Sequence, residues 1–468
     1  MHVHVHDCDQ ASVSPAILMA HRLLLLIFSL STPTPSSATP LPWEYNWTSF
    51  PAVWFGGNGT DWESPEQIAA IGKYQMAILG WQDLLYAADW TAVVYTQLTQ
   101  AAIIKDAHPH MQVFVYAGYG FAFGLNEAVW PLMQDPAYSD FFLQQQHGAE
   151  FTHTNCEQMH QNNPHCVGWF WKFSNASARQ YFVQHVVTPL ATAPMIDGVF
   201  FDAFNYGWDI PEVRPFGLDV VNVPNCTHEG GVGCDALVQG SIDVAVATTR
   251  LLNQHNKVPM FANPGSFVRG LVGTNIWLNE SALVDALDGL SWITYYESAR
   301  AEQVFALPPR PLLPPDAMFD NMVREGSLGV AAAMHAYYHA DVNGTAEDVT
   351  QHIVAFMLVR EQGWYFLGST GWLDKDYRWT PLYDMRCGRP VAAATRLRTG
   401  VYARAYEACA VQIDCTQALN TTAKPQPPCN GSITGPGAAT WHDNEARIIE
   451  TTGRDPNLGI ESIESIAA

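Results

Sequence analysis

Positive charge is what this chain has least of. Lys and Arg number 23 against 45 Asp and Glu, a formal net charge of −22 at pH 7. No basic patch is available to displace counterions from phosphates, which excludes nucleic acid and anionic membranes as partners. Charge of either sign is sparse, at 15%. Beyond the first thirty residues no run approaches the ~18 uninterrupted apolar residues of a membrane span. Several catalytic signatures are also missing. There is no Gly-x-Ser-x-Gly elbow, no His-Glu-x-x-His and no Cys-x-x-Cys. Their absence argues against an α/β-hydrolase nucleophile, a zincin site and a structural zinc. Gly118-Tyr119-Gly120 is only a fragment of a phosphate-binding turn. His108 and His110 precede a strand, where a solvated turn is the simpler reading. Neither a cofactor nor a metal is expected.

What the chain does have is core material. Hydrophobic residues make up 48% and aromatics 12%, with 16 Trp among the 468 residues. That is enough for one large folded unit with a small addition. Many Trp and Tyr must fill the core, but their flat faces also suit the C–H faces of sugar rings.

The N-terminal segment reads as a secretory signal. Leu23–Leu30 is a short apolar block after His21-Arg22, and Ser36-Ser37-Ala38 is a small-residue cleavage site. Met19 offers an alternative start, and a signal anchor is the rival reading. Cys8 lies in this segment. The remaining eight Cys comprise Cys156 with Cys166, Cys226 with Cys234, and the cluster Cys387, Cys409, Cys415 and Cys429. In a secreted chain these read as disulfides of open connectivity, with buried free thiols as the alternative. Asn-x-Ser/Thr sequons stand at Asn46, Asn58, Asn175, Asn225, Asn279, Asn343, Asn420 and Asn430. They agree with a secreted or secretory-lumen location, either extracellular or vacuolar/lysosomal. No membrane association is expected after signal cleavage, and the oligomeric state is left open.

Short apolar runs alternate with helix-length segments along the chain. The strand candidates are 52–56, 76–81, 112–119, 198–203, 258–263, 290–296, 330–337 and 363–367. They are mostly apolar rather than alternating, as strands covered on both faces should be. Ser64-Pro65-Glu66-Gln67 signals a helix start with a capping box. Residues 177–190, 235–256 and 345–360 also fit helices. Eight strands alternating with helices predict an α/β fold, a (β/α)8 TIM-type barrel with a small C-terminal β appendage. An open doubly wound sheet is the rival. The expected organisation is a signal and leader over 1–38, a barrel over 43–398, a β appendage over 399–435, and a tail over 436–468 to which no structure is assigned.

The chemistry is expected at strand ends. Asp202 closes the strand Gly198-Val199-Phe200-Phe201, and Glu297 follows Trp292-Ile293-Thr294-Tyr295-Tyr296. An acid ending a buried barrel strand sits at the sheet's carboxyl edge, where barrel enzymes place their catalytic groups. Two such acids are what glycosidic-bond cleavage requires. Each has an ordinary alternative: Asp202 as a helix cap or ion-pair partner, Glu297 as a partner of Arg300. Asp197, at the other end of its strand, reads as structural. Asn205 and Asn263 follow two strands and suit sugar hydroxyls, or turns. His335 ends a strand as a substrate contact or as a hydrogen-bonded core histidine. Trp81, Tyr116, Tyr119, Trp169 and Trp372 are candidate sugar platforms, with core packing the simpler reading of each singly. Tyr295 is a candidate substrate neighbour.

Several of these segments together resemble a known group. They are Asp197-Gly198-Val199-Phe200-Phe201-Asp202, the aromatic strand ending at Glu297, Gly363-Trp364-Tyr365-Phe366, Tyr383-Asp384, Gly388-Arg389-Pro390 and Val401-Tyr402-Ala403-Arg404-Ala405-Tyr406. Over residues 45–415 the chain resembles the TIM-barrel glycoside hydrolases of the hypothetical glycosyl hydrolase family 15 group. In related barrel glycosidases such as the α-galactosidase clan, carboxylates after strands 4 and 6 act as nucleophile and acid/base. By position, the resemblance implies Asp202 as nucleophile and Glu297 as acid/base. Of the three positions where chitinases carry further acids, Phe200, Asp202 and Phe204, only Asp202 is acidic, and the missing glutamate departs from the chitinase pattern. Its strand-6 acid is Glu rather than the Asp of the α-galactosidase clan, so that clan's substrate does not carry over. The expectation is a secreted glycoside hydrolase, retaining in mechanism, acting on a poly- or oligosaccharide. The alternative is a catalytically inactive carbohydrate-binding barrel.

Overall fold

The structure, a computed structural model, describes residues 40–57, 62–80, 93–144, 168–202, 222–225, 232–262, 280–297, 329–337, 346–369, 378–416 and 429–438. Eight parallel strands close into a barrel. In chain order they are β1 (Ala52–Gly56), β2 (Met76–Leu79), β3 (Gln112–Gly118), β6 (Gly198–Asp202), β7 (Val258–Ala262), β8 (Ile293–Glu297), β9 (Ala331–Tyr337) and β10 (Trp364–Ser369). β10 pairs with β1 and seals the ring. Every residue of β1, β2, β7 and β10 is buried. That is why these strands read as continuous apolar runs.

The helices are α1 (Pro65–Ile71), α2 (Val93–Ala107), α3 (Trp130–Gln134), α4 (Ala176–Tyr181), α5 (Thr188–Thr192), α6 (Val232–Gln254), α7 (Glu280–Ala286) and α8 (Ala346–Val359). α1 starts as its sequence predicts. Ser64 Oγ accepts from Gln67 N at 3.2 Å, and Ser64 N donates to Gln67 Oε1 at 2.8 Å. The single helix expected over 177–190 is instead α4 and α5 joined by a wider turn over Phe182–Val187. Pro189 has no N–H to bond to the preceding turn, and the helix widens just ahead of it.

Barrel strand 6 begins at Ile293, later than the expected 290. Ser291 is engaged elsewhere. Its N–H donates to Asn253 Oδ1 at 2.9 Å and its hydroxyl to Pro40 O at 2.8 Å. The long connection after β3 carries a two-stranded hairpin, β4 (Phe121–Phe123) with β5 (Gly168–Phe170).

Residues 40–50 close the amino end of the barrel. Trp43 Nε1 donates to the Tyr365 hydroxyl at 2.8 Å, and the Trp43 ring meets Phe114 edge-on at 6.2 Å. Tyr45 donates to Trp364 O at 2.6 Å. The buried Arg360 guanidinium lies 4.9 Å from the Trp47 ring and donates through Nε to Tyr45. The Asp197-Gly198 pair that opens β6 belongs to this end. Asp197 Oδ2 accepts from Val113 N at 2.8 Å and pairs with Lys105 Nζ at 2.7 Å. A Cβ on Gly198 would come within 2.2 Å of the Phe114 ring, so the bottom layer needs glycine there.

The C-terminal addition is a four-stranded antiparallel sheet in the order β11 (Thr395–Arg398), β12 (Val401–Ala405), β13 (Ala410–Asp414), β14 (Asn430–Thr434). Disulfides join Cys387 to Cys409 and Cys415 to Cys429. Cys156, Cys166 and Cys226 lie outside the described residues.

Candidate active site

With the amino end filled by Trp43 and its neighbours, the carboxyl ends of the strands form the barrel's other mouth. Asp202 is the last residue of β6 and is half-buried. Two positions earlier, Phe200 lies in the barrel interior. It touches Phe55 of β1 at 5.4 Å, Tyr295 of β8 at 5.0 Å and Tyr116 of β3 at 6.0 Å between ring centroids. Residues two apart on a strand share a face, so Asp202 stands on the interior side above this aromatic layer. The Tyr116 hydroxyl donates to Asp202 Oδ2 at 2.9 Å. Tyr119 N donates to the Asp202 carbonyl at 2.7 Å and fixes the strand end.

A second polar arrangement crosses the opposite wall. The Tyr295 hydroxyl meets His335 Nδ1 at 2.5 Å, and His335 Nε2 meets Ser369 Oγ at 2.6 Å. These residues come from β8, β9 and β10, three adjacent strands. Tyr295 is 1% exposed, and His335 and Ser369 are 0% exposed. Burial pushes the His335 pKa down to about 3, so the imidazole is neutral. A neutral ring has one donor and one acceptor nitrogen, and the two hydroxyls satisfy both. The main chain of Glu297, the last residue of β8, lies opposite His335 in the ladder.

The structure thus brings Tyr116 to Asp202, and Tyr295 to His335. Trp81, Asn205, Asn263 and Trp372 lie outside the described residues. Tyr119 is fully buried outside the barrel wall among Phe173, Phe182, Phe201 and Phe261, its hydroxyl bonded to Ser241 O. Trp169, on the β4–β5 hairpin, meets Phe142 edge-on at 5.0 Å. Two features escaped the sequence reading. Ser369 is not among the sequence candidates, because the eighth strand is expected to end at 367 and runs instead to Ser369. The Tyr116–Asp202 bond needed the β3–β6 register, in which Gly118 pairs with Asp202. Among the described residues no group of three or more His, Cys, Asp or Glu is placed to hold a metal ion. No helix among them is long and apolar enough to cross a membrane.

The family described as hypothetical glycosyl hydrolase family 15 matches residues 105–410, more than half of the chain. No curated protein matches. Among solved structures the chain is similar to Ega3 of Aspergillus fumigatus in complex with galactosamine, at 10% identity and a TM-score of 0.35, over 72% of this chain and 98% of that one. It is also similar to the ligand-free cyclic α-maltosyl-(1→6)-maltose hydrolase of Arthrobacter globiformis, at 12% identity and 0.42, over 87% and 93%. A third is Amy13B of Eubacterium rectale, at 8% identity and 0.43, over 86% and 97%.

Proposed function

This chain belongs to the hypothetical glycosyl hydrolase family 15, and from that premise we propose that it is a secreted enzyme cleaving O-glycosidic bonds of a poly- or oligosaccharide by a retaining, two-carboxylate mechanism. The observation that carries the reading is the placement of two acids as the last residues of barrel strands 4 and 6, Asp202 on β6 and Glu297 on β8. Strand alternation assigns position 297 to the same face as Tyr295, the barrel interior. Both strands end at the mouth opposite the filled end.

Asp202 attacks the anomeric carbon and forms a C–O bond. The bond to the leaving oxygen breaks, and Glu297 supplies the proton that oxygen takes. Water then gives a proton to the Glu297 carboxylate and attacks the same carbon, and the bond to Asp202 breaks. Carboxyl groups about 5 Å apart suit this course, whereas about 6.5–9.5 Å would leave room for the water of an inverting enzyme. Trp81, Asn205, Asn263 and Trp372 are proposed to meet the sugar. Tyr295 and His335, buried beneath the mouth, are proposed to brace it. Secretion is supported by the two disulfides and by the exposed sequon residues Asn46 and Asn430.

The test is hydrolysis of a panel of 4-nitrophenyl glycosides and oligosaccharides by the parent protein and by Asp202→Asn and Glu297→Gln. Asp202→Asn is expected to lose at least ~10³-fold in kcat/KM. Glu297→Gln should lose about 10²–10⁴-fold on poor leaving groups. Both variants should keep the parent's circular dichroism and melting curve. Glycan binding with no turnover by the parent would instead favour an inactive carbohydrate-binding barrel.

A further inference from the structure

Tyr116, a candidate sugar platform, is engaged within the barrel by both its ring and its hydroxyl. Its ring is tilted against Phe200, which is itself held between Phe55 and Tyr295. Its hydroxyl is aimed at a carboxylate. β7, the strand on the other side of β6, runs Val258-Pro259-Met260-Phe261-Ala262 and brings no titratable side chain to Asp202. From β3, the phenol is the titratable group that reaches it.

We propose that Tyr116 is a positioning residue for Asp202, its O–H fixing Oδ2 so that the carboxylate faces the anomeric carbon in its ionised form. The proposal rests on Asp202 being the nucleophile. A hydrogen bond to a carboxylate favours the charged form. It also aligns the group before reaction, when random rotation would waste encounters. As the carboxylate forms its bond to carbon, negative charge leaves it, and the phenol's bond weakens. As the glycosyl-enzyme is hydrolysed, the charge returns and the bond strengthens. The phenol therefore stabilises the carboxylate as leaving group in the second step.

Tyr116→Phe removes the hydroxyl and keeps the ring. Two measurements test it, alongside Asp202→Asn. The first is kinetics on whichever 4-nitrophenyl glycoside the parent hydrolyses. The expected result is a fall of about 10–100-fold in kcat with KM unchanged or lowered, because slower hydrolysis of the glycosyl-enzyme lets it accumulate. A risen KM at unchanged kcat would make Tyr116 a sugar contact and overturn the proposal. The second needs no activity. The infrared carboxyl band assigned to Asp202, by its loss in Asp202→Asn, is titrated in the parent and in Tyr116→Phe. Its midpoint should rise by about one pH unit in the variant, and an unmoved midpoint overturns the proposal. If Asp202→Asn keeps full activity, the nucleophile reading falls. If it is dead while Tyr116→Phe matches the parent, the nucleophile reading stands and the role of Tyr116 falls.

Discussion

His335 is a histidine that cannot accept a proton without breaking its surroundings. Its folded pKa is pushed down to about 3 by burial, whereas an unfolded histidine titrates near 6.5. Between those values the unfolded chain binds the proton and the folded one does not. Stability is therefore complete above about pH 6.5 and declines as the pH falls towards 3, by at most about 1.4 kcal/mol per pH unit for the single proton. Thermal unfolding between pH 7 and pH 4 should show this decline in the parent protein. His335→Gln should show a shallower pH slope, whatever its melting temperature at pH 7. Equal slopes would mean that other groups dominate the acid response. The sequence marked His335 as notable but could not choose between substrate contact and core. Its two bonding partners, Tyr295 and Ser369, lie 40 and 34 positions away. Only the parallel register brings them together.

At the scale of elements, the last turn of α8 shows how the outer sheet is fastened to the barrel. The final carbonyls of a helix have no partner within it. Here Arg404 of β12 supplies one. Its Nη1 donates to Leu358 O at 3.1 Å and to Arg360 O at 2.7 Å, while Nη2 bonds Glu361 Oε1 at 2.7 Å. Tyr406 adds a hydroxyl to Met357 O. Arg404→Ala should lower the unfolding free energy by about 2–4 kcal/mol in urea titrations. Arg404→Lys should recover less than half of that, because a single ammonium cannot reproduce the planar fork.

The start of α2 is held by the same logic with the opposite charge. The half-buried Glu127 carboxylate accepts from Val94 N at 3.2 Å and Tyr95 N at 3.0 Å. Glu127→Ala should cost about 1 kcal/mol in the same assay. The eight barrel strands were legible because each is a buried apolar run. β11 and β14 were not. Every residue of Thr395–Arg398 is exposed, and an edge strand facing water carries little apolar pattern. Helix caps contributed by remote residues such as Glu127 and Arg404 were equally invisible, since no local spacing announces them.

For the whole molecule, the (β/α)8 ring follows from alternation alone, but its filled amino end does not. Residues 40–50 carry no strand or helix pattern in the sequence, although the barrel is expected from 43. They act through Trp43, Tyr45 and Trp47 on β10 and Arg360, more than three hundred positions later. Burial pushes the Tyr45 phenol up to about 12, so it stays protonated and able to donate at ordinary pH. Tyr45→Phe removes the donor to Trp364 O and the acceptor of Arg360 Nε together. It should destabilise the protein by about 1–3 kcal/mol, read as a lower urea midpoint with an unchanged slope. A variant as stable as its parent would show that the seal at this end does not depend on the phenol.

That seal also sets an order of events during biosynthesis. Trp43 leaves the ribosome 322 positions ahead of its partner Tyr365. Contacts so distant along the chain form slowly and leave apolar surface exposed meanwhile. A nascent polypeptide arrested before its eighth strand has an open seam and an uncovered floor, and is a natural client for chaperones.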